Sequence, residues 1–211
     1  MIARLISITP DAEKTMGQIA RVSNPTNQKN ENVSKLLGYC LKNGHFSVFE
    51  QAFMSIEVNT SIAISMQILR HKSFNFQQFS QRYADVGLLD QSIPLFELRM
   101  QDNQNRQNSI EDIDPQLLTK YNPRIEQHFK ESLEIYNDML SDGIAKECAR
   151  FILPVATPTR LYISGTIRSW IHYIQARTYA GAQKEHRLLA QDCQKIFVQQ
   201  FPAISKALGW S

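Results

Sequence analysis

Glycine, cysteine and long apolar runs are all in short supply in this chain. Its 8 glycines among 211 residues never fall into Gly-x-Gly-x-x-Gly or Gly-x-x-x-x-Gly-Lys. Neither the turn of a dinucleotide-binding βαβ unit nor a P-loop is therefore written here. A Gly-x-Ser-x-Gly elbow and a His-Glu-x-x-His helix are missing too, which removes two large classes of hydrolase. The three cysteines, Cys40, Cys148 and Cys193, are odd in number and far apart. A disulfide framework or a zinc cluster needs more of them, closer together, so no metal site is expected. No apolar run approaches the roughly 18–20 residues that span a bilayer. The opening Met1-Ile2-Ala3-Arg4 lacks the basic-then-apolar order of a secretory signal. A cytoplasmic, reduced protein without a membrane partner is the expectation.

What is present suits one catalytic-sized domain over 1–211. Hydrophobic residues make up 43%, charged residues 20%, and 11 Phe, 7 Tyr and 2 Trp supply large side chains for a core. This is ordinary globular composition. The charge balance, 23 − 20 = +3, suits anionic small molecules at least as readily as nucleic acid, which calls for a denser basic face.

Ile2 to Ile8 reads as a strand stopped by Pro10, with a helix from Asp11 to about Val22. A second helix over about Asn32–Asn43 is expected to bury Val33, Leu36, Leu37, Tyr39 and Cys40 and to stop at Gly44. Phe53–Val58 alternates as a strand with Met54, Ile56 and Val58 on one face. Thr60 or Ser61 then starts a helix ending near Leu69 and Arg70. The chain reads extended over Phe76–Tyr83 and again over Leu95–Met100, with a polar loop or early helix turn at 101–105. Helices are expected over Asn122 to about Leu140, Ala145–Phe151, Ser164–Ala176, Ala182–Gln200 and Ala203–Leu208. The sum is a helix-rich α+β domain.

Chemistry is concentrated in four segments. Arg70-His71-Lys72-Ser73-Phe74-Asn75-Phe76-Gln77-Gln78-Phe79-Ser80-Gln81-Arg82-Tyr83 holds three cations, many neutral donors and no acid. That set favours an anion, with Arg as a fork and Lys as a point charge. A solvated basic turn is the equal alternative. The second segment runs from Glu147-Cys148-Ala149-Arg150 through Leu153-Pro154 to Arg160. The third, Arg168 to Arg177, puts Arg168 and His172 four apart on one helix face. An arginine among Trp170, Ile171 and Ile174 invites an ion pair with Glu185 or another acid. In the fourth, Gln183 and Arg187 share a face. His45, after Gly44, is either a cofactor contact or a capped, half-buried ring. The cysteines read as core residues, with basic neighbours only at Cys148.

Together these segments resemble the flavin-dependent thymidylate synthases. That family's signature is Arg-His-Arg, seven residues, then Ser-x-Arg; Arg70-His71-Lys72, Ser73 to Phe79 and Ser80-Gln81-Arg82 match it except at Lys72. The similarity continues through Gly44-His45-x-Ser47-x-Phe49-Glu50, Glu147-x-Ala149-Arg150-x-x-Leu153-Pro154, Arg168-Ser169 to Arg177, and Ala182-Gln183-x-Glu185. It spans roughly residues 20–190 in order.

The resemblance implies an α+β (α/β) fold with a small, mainly antiparallel sheet. It also implies a methyltransferase that makes dTMP from dUMP in nucleotide biosynthesis. Methylenetetrahydrofolate would give the carbon and NADPH the reducing equivalents, through bound FAD. The family's homotetramer would build each active site from several subunits. By position, Arg70, His71 and Lys72 would hold FAD with Ser47, Gln78, Thr166, Ile167, Arg168 and His172, and His45 would lie near the flavin. The dUMP would be held by Gln67, Ile68, Leu69, Arg70, Gln78, Phe79, Ser80, Gln81, Arg82 and Arg150. Arg177, the implied catalytic residue, would contact the uracil and favour its ionised N3 form. No cysteine is required as a nucleophile.

Two departures stand out. Lys72 keeps the charge and loses the fork, and Gln77 and Gln78 stand where many members have Asn and Glu. A nucleotide-binding protein without catalysis remains open beside the enzyme. So does a single-strand nucleic-acid binder stacking bases on Phe74, Phe76, Phe79 and Tyr83.

Overall fold

The structure, a computed structural model, describes residues 2–89 and 96–210. The chain opens with β1 (Ile2–Ile8), α1 (Ala12–Ala20), α2 (Ser34–Lys42), β2 (Phe53–Ser61), α3 (Ile62–Ile68) and β3 (Asn75–Gln78). A small hairpin of β4 (Met100–Gln101) and β5 (Ser109–Ile110) leads to the long α4 (Pro115–Ser141) and the short α5 (Lys146–Ala149). Then come β6 (Pro158–Thr166), α6 (Ile167–Thr178), α7 (Lys184–Gln200) and α8 (Pro202–Leu208).

The main sheet has the order β1-β2-β6-β3, every pair antiparallel. Alternation decides its two faces. Met54, Ile56 and Val58 of β2 and Leu161 and Ile163 of β6 point to one side and are fully buried beneath α6 and α7. Trp170, Tyr173, Ile174, Leu189 and Phe197 complete that core from the helices. The indole of Trp170 donates to the Met54 carbonyl at 2.9 Å, so the largest core side chain keeps its N–H satisfied. Gly165 lets the Phe74 ring lie against β6, where a Cβ would collide with it. The outer face is polar: Glu57 sits between Arg4, at 3.0 Å, and Arg160, at 4.0 Å.

Helix ends follow their local chemistry. Ser61 accepts from the Ile64 N–H and Thr166 from the Ser169 N–H, which caps α3 and α6. Gly44, at φ +71°, ends α2: its N–H bonds the Leu41 carbonyl and the His45 N–H the Cys40 carbonyl, a Schellman close that needs a left-handed residue.

Four expectations change. Strand β6 occupies residues expected to begin a helix at Ser164, because Thr166 is the cap that separates strand from helix. Tyr39 is 58% exposed, on the solvent side of α2. The extended stretch after the Arg-His-Lys motif ends at Gln78, and residues 81–83 turn. Helix α4 begins at Pro115 rather than Asn122: Asp114 caps it by accepting from the Gln116 N–H, and Pro123 is carried inside it. The expected extended stretch near Leu95 lies partly outside the described residues, and its remainder pairs only at Met100–Gln101.

Candidate active site

Strand β2 turns directly into α3, and β6 into α6; because the two strands are antiparallel, Ser61 opposite Pro158 and Phe53 opposite Thr166, the two capped helices start from opposite ends of the sheet. The segment after α3 then passes along α6. There the Arg177 Nε–H donates to His71 Nε2 at 2.9 Å. A guanidinium only donates, so that nitrogen carries a lone pair and the His71 ring is neutral. Burial first, then the charges of Arg177 and Arg70, hold His71 down at about 4. The ring stands edge-on to Tyr173, centroids 5.0 Å apart. Of the acids expected to pair with an α6 arginine, Glu185 is taken by Arg99 at 2.7 Å, while Arg168 pairs with another acid, Glu50.

Behind Arg177 lies a polar file that reasoning from sequence passed over. His186, fully buried, places Nε2 3.1 Å from the Tyr173 hydroxyl and Nδ1 3.2 Å from Gln67 Oε1. Gln67 Nε2 donates to Gln183 Oε1, and Gln183 Nε2 to Glu185 Oε2 at 3.0 Å. Burial pushes His186 down to about 3 and Tyr173 well above the usual phenol range. The available signal was His186 at i+3 from Gln183, one turn along the same face.

A second cluster surrounds the N-terminus of α6. Glu50, Ser73, Thr166, Arg168, Ser169 and His172 line a cavity of about 540 Å³. Ser169 donates to the Ser73 carbonyl at 3.1 Å, tying the Arg-His-Lys segment to the helix. Arg168 is 2.6 Å from Glu50 and lies over the Phe46 ring, which also faces His172 at 5.2 Å. Ser47 and His45 are exposed on the neighbouring turn, the His45 ring set against Tyr39. Ile167 is buried in the core, so only its backbone is offered here.

A second cavity, about 570 Å³, is lined by Gln77, Gln78, Phe79, Ser80 and Tyr83 together with Ala84, Arg160 and Tyr162. The Gln78 amide turns away from solvent and donates to Ser65 Oγ at 3.0 Å and Thr159 Oγ1 at 3.2 Å. Arg82 pairs with Glu147 at 2.8 Å, and Arg150 lies over the Phe151 ring. Gln81 and Leu69 are half-buried. Ile68 is a core residue that can offer a ligand only its backbone.

The fold thus joins Gln67, His71 and Arg177; Thr166, Arg168 and His172; and Gln78, Phe79 and Ser80. Among the described residues, Arg82 and Arg150 share no hydrogen bond or ion pair with Arg177. Arg70 and Lys72 are exposed and form no ion pair there either. Phe74 is buried against Trp170 and Tyr173, which removes it as a base-stacking platform. Cys40 and Cys193 are buried, and burial pushes Cys193 up to about 12; Cys148 is exposed. Among the described residues no cluster of metal-ligating side chains occurs, and no helix is long and apolar enough to cross a membrane.

A cavity at the start of α6 with a guanidinium and hydroxyls, and a second lined by glutamines and Arg160, are of the chemical class that suits anionic, nucleotide-sized ligands. Comparison with known proteins gives the family. The model described as thymidylate synthase complementing protein matches residues 4–203. The chain is 50% identical, over all of both sequences, to a "probable flavin-dependent thymidylate synthase" of Paramecium bursaria Chlorella virus 1. It is 46% identical to the flavin-dependent thymidylate synthase of Synechocystis, covering 94% of this chain and 90% of that one. The chain belongs to this family, and its function is that of a flavin-dependent thymidylate synthase. The fold is shared with a UMP/dUMP methylase, PolB of Streptomyces cacaoi, solved with 5-Br dUMP. That match has a TM-score of 0.83 at 22% identity, over 99% of this chain and 94% of that one.

The residues at the α6 N-terminus fit a flavin nucleotide. Ser73 supplies a hydroxyl, Arg168 a guanidinium and the helix its positive end, donors that suit a diphosphate, while the Thr166 and Ser169 hydroxyls brace the Ser73 carbonyl beside them.

Proposed function

We propose that this chain acts in the cytoplasm and converts dUMP to dTMP. Methylenetetrahydrofolate is the carbon donor, NADPH the reductant and FAD the flavin. The observation that carries the reading is the Arg177–His71 contact beside Gln67. A fixed positive charge there meets a neutral imidazole, and among the described residues no acid is bonded to Arg177 to quench it. Arg177 is permanently protonated, so it stabilises negative charge developing on a uracil ring, as the N3 anion or as an enolate.

FAD, when bound, supplies the hydride chemistry. The chain's own residues bind and orient. Arg168, Ser73 and the α6 start at Thr166 hold the flavin's phosphates, with His172 beside them; His45, Ser47, Arg70 and Lys72 are assigned to the same flavin. Ser80, Gln81, Arg82 and Arg150 serve the dUMP phosphate and sugar, and the backbone of Ile68, Leu69 and Phe79 the nucleotide's edge. Gln78, turned inward to Ser65 and Thr159, shapes the floor of that pocket.

A homotetramer with shared sites accounts for the separation of Arg82 and Arg150 from Arg177. Tyr83 and Phe151, 88% and 82% exposed, flank those two arginines. Large apolar groups in that position suit contact with a second subunit.

The test is direct. Purified protein supplied with FAD, NADPH, methylenetetrahydrofolate and dUMP is expected to form dTMP, and to oxidise NADPH faster when dUMP is present. Folded protein that binds no flavin and forms no dTMP overturns the reading.

A further inference from the structure

The file behind Arg177 has a direction, and its far end sets it. Glu185, paired with Arg99, presents only acceptor oxygens. Gln183 must therefore turn its –NH2 toward Glu185 and its carbonyl toward Gln67. Gln67 then donates to that carbonyl with its own –NH2, which leaves Oε1 facing His186. An amide oxygen accepts, so His186 carries its proton on Nδ1. Its Nε2 is then the lone pair that receives the Tyr173 O–H. Each bond fixes the next, from Tyr173 through His186, Gln67 and Gln183 to Glu185.

We infer that His186 is a positioning residue: its Nδ1–H, anchored by the Tyr173 hydroxyl, holds the oxygen end of the Gln67 amide while Gln183 holds the –NH2 end, so that the remaining N–H and oxygen lone pair keep a fixed orientation toward the pyrimidine nucleotide. An unlocked glutamine amide can rotate by half a turn and exchange donor for acceptor. Against a uracil edge, where carbonyl and N–H alternate, that exchange turns an attraction into a repulsion. His186 is suited to the task because it is enclosed by Tyr173, Gln67 and the His71 ring, 6.3 Å away, with Arg177 nearby. In that setting it remains a neutral ring with one donor and one acceptor. Neither His186 nor Tyr173 touches the nucleotide in this account; both act through Gln67.

This inference rests on the reading of Gln67 as part of the dUMP site. Three proteins test it: wild type, His186→Asn and His186→Leu, each as FAD-loaded holoenzyme. Asparagine places an amide N–H close to the position of Nδ1–H; leucine fills similar space without a donor. His186→Leu is expected to raise KM and Kd for dUMP roughly tenfold, with kcat within about threefold of wild type and flavin still bound. His186→Asn is expected within about threefold of wild type in all three quantities. Nitrogen NMR of the wild-type ring is expected to show Nδ1 protonated and Nε2 bare, a reading that survives even if the leucine variant fails to fold. Equal behaviour of the two variants, unchanged affinity in His186→Leu, or a ring protonated at Nε2 overturns the inference. Wild-type protein that binds no dUMP overturns both it and the functional reading; wild-type binding with indifferent variants overturns the inference alone.

Discussion

Arg177 and His71 are joined by one N–H···N hydrogen bond, Nε to Nε2, and it fixes the charge state of both: a permanent cation beside an imidazole that stays neutral. The pair carries one positive charge where two cationic side chains would repel. That single charge is what a uracil anion would meet.

Substitution of Arg177 reads out on both partners. Arg177→Ala removes the second-largest influence on His71, after burial. The His71 titration, followed by the NMR signals of its ring protons, is expected to move up from about 4 while staying below the ordinary histidine value. The same variant is expected to form no dTMP and to keep its flavin. Arg177→Lys keeps the charge, so His71 should stay low, while the loss of the planar fork still lowers turnover. Retained turnover in Arg177→Ala refutes the role assigned to Arg177.

Two neutral histidines, His186 buried and His71 half-buried, make the fold sensitive to mild acid. Folded His71 and His186 titrate at about 4 and about 3, whereas an unfolded chain's histidines titrate at about 6.5. As pH falls through 6.5 the unfolded state takes protons that the folded state refuses, so stability drops with pH until the folded values are reached. Calorimetry between pH 7 and pH 5 is expected to show Tm falling with pH, and falling less steeply in His186→Asn. Equal slopes in the two proteins refute this account.

Gln78 answers a narrower question. Its –NH2 donates to Ser65 Oγ, and the Ser65 hydroxyl itself donates to the Ile62 carbonyl at 2.8 Å. A glutamate here has no proton to give. Thr159 can turn its hydroxyl to donate, but Ser65 would have to abandon Ile62. Gln78→Glu is therefore expected to destabilise by about 1–3 kcal/mol, seen as a Tm lower by several degrees. An unchanged Tm would show that Ser65 re-pairs freely.

Strand β2 was legible because its inward residues Met54, Ile56 and Val58 are all apolar. Strand β6 has the same period, yet its inward set Thr159, Leu161, Ile163 and Gly165 is diluted by a hydroxyl and a glycine, and Tyr162 on the outer face blurs the rest. Gly165 is small because Phe74 lies against it, a demand from a distant segment that no local window contains. The start of α4 was hidden for a different reason: apolar spacing marked the helix only from Asn122, while the true start is the Asp114–Pro115 pair, ahead of the apolar stripe. At the site, cation-rich segments and their order were visible. The Arg177–His71 bond and the Tyr173–His186–Gln67 file were not, since they depend on how α3, α6 and α7 converge.

Strands β3 and β6 are neighbours in the sheet, Gln78 opposite Leu161, although the hairpin of β4 and β5 and all of α4 and α5 lie between them in the chain. That whole excursion leaves and re-enters at a gate the sheet holds shut. Lengthening or shortening it adds only a slowly growing closure entropy and leaves each rung of the ladder in place. Drift in chain length among descendants of this fold has its natural outlet there, around exposed turns such as Asn105, while residues 53–78 and 158–178 have none.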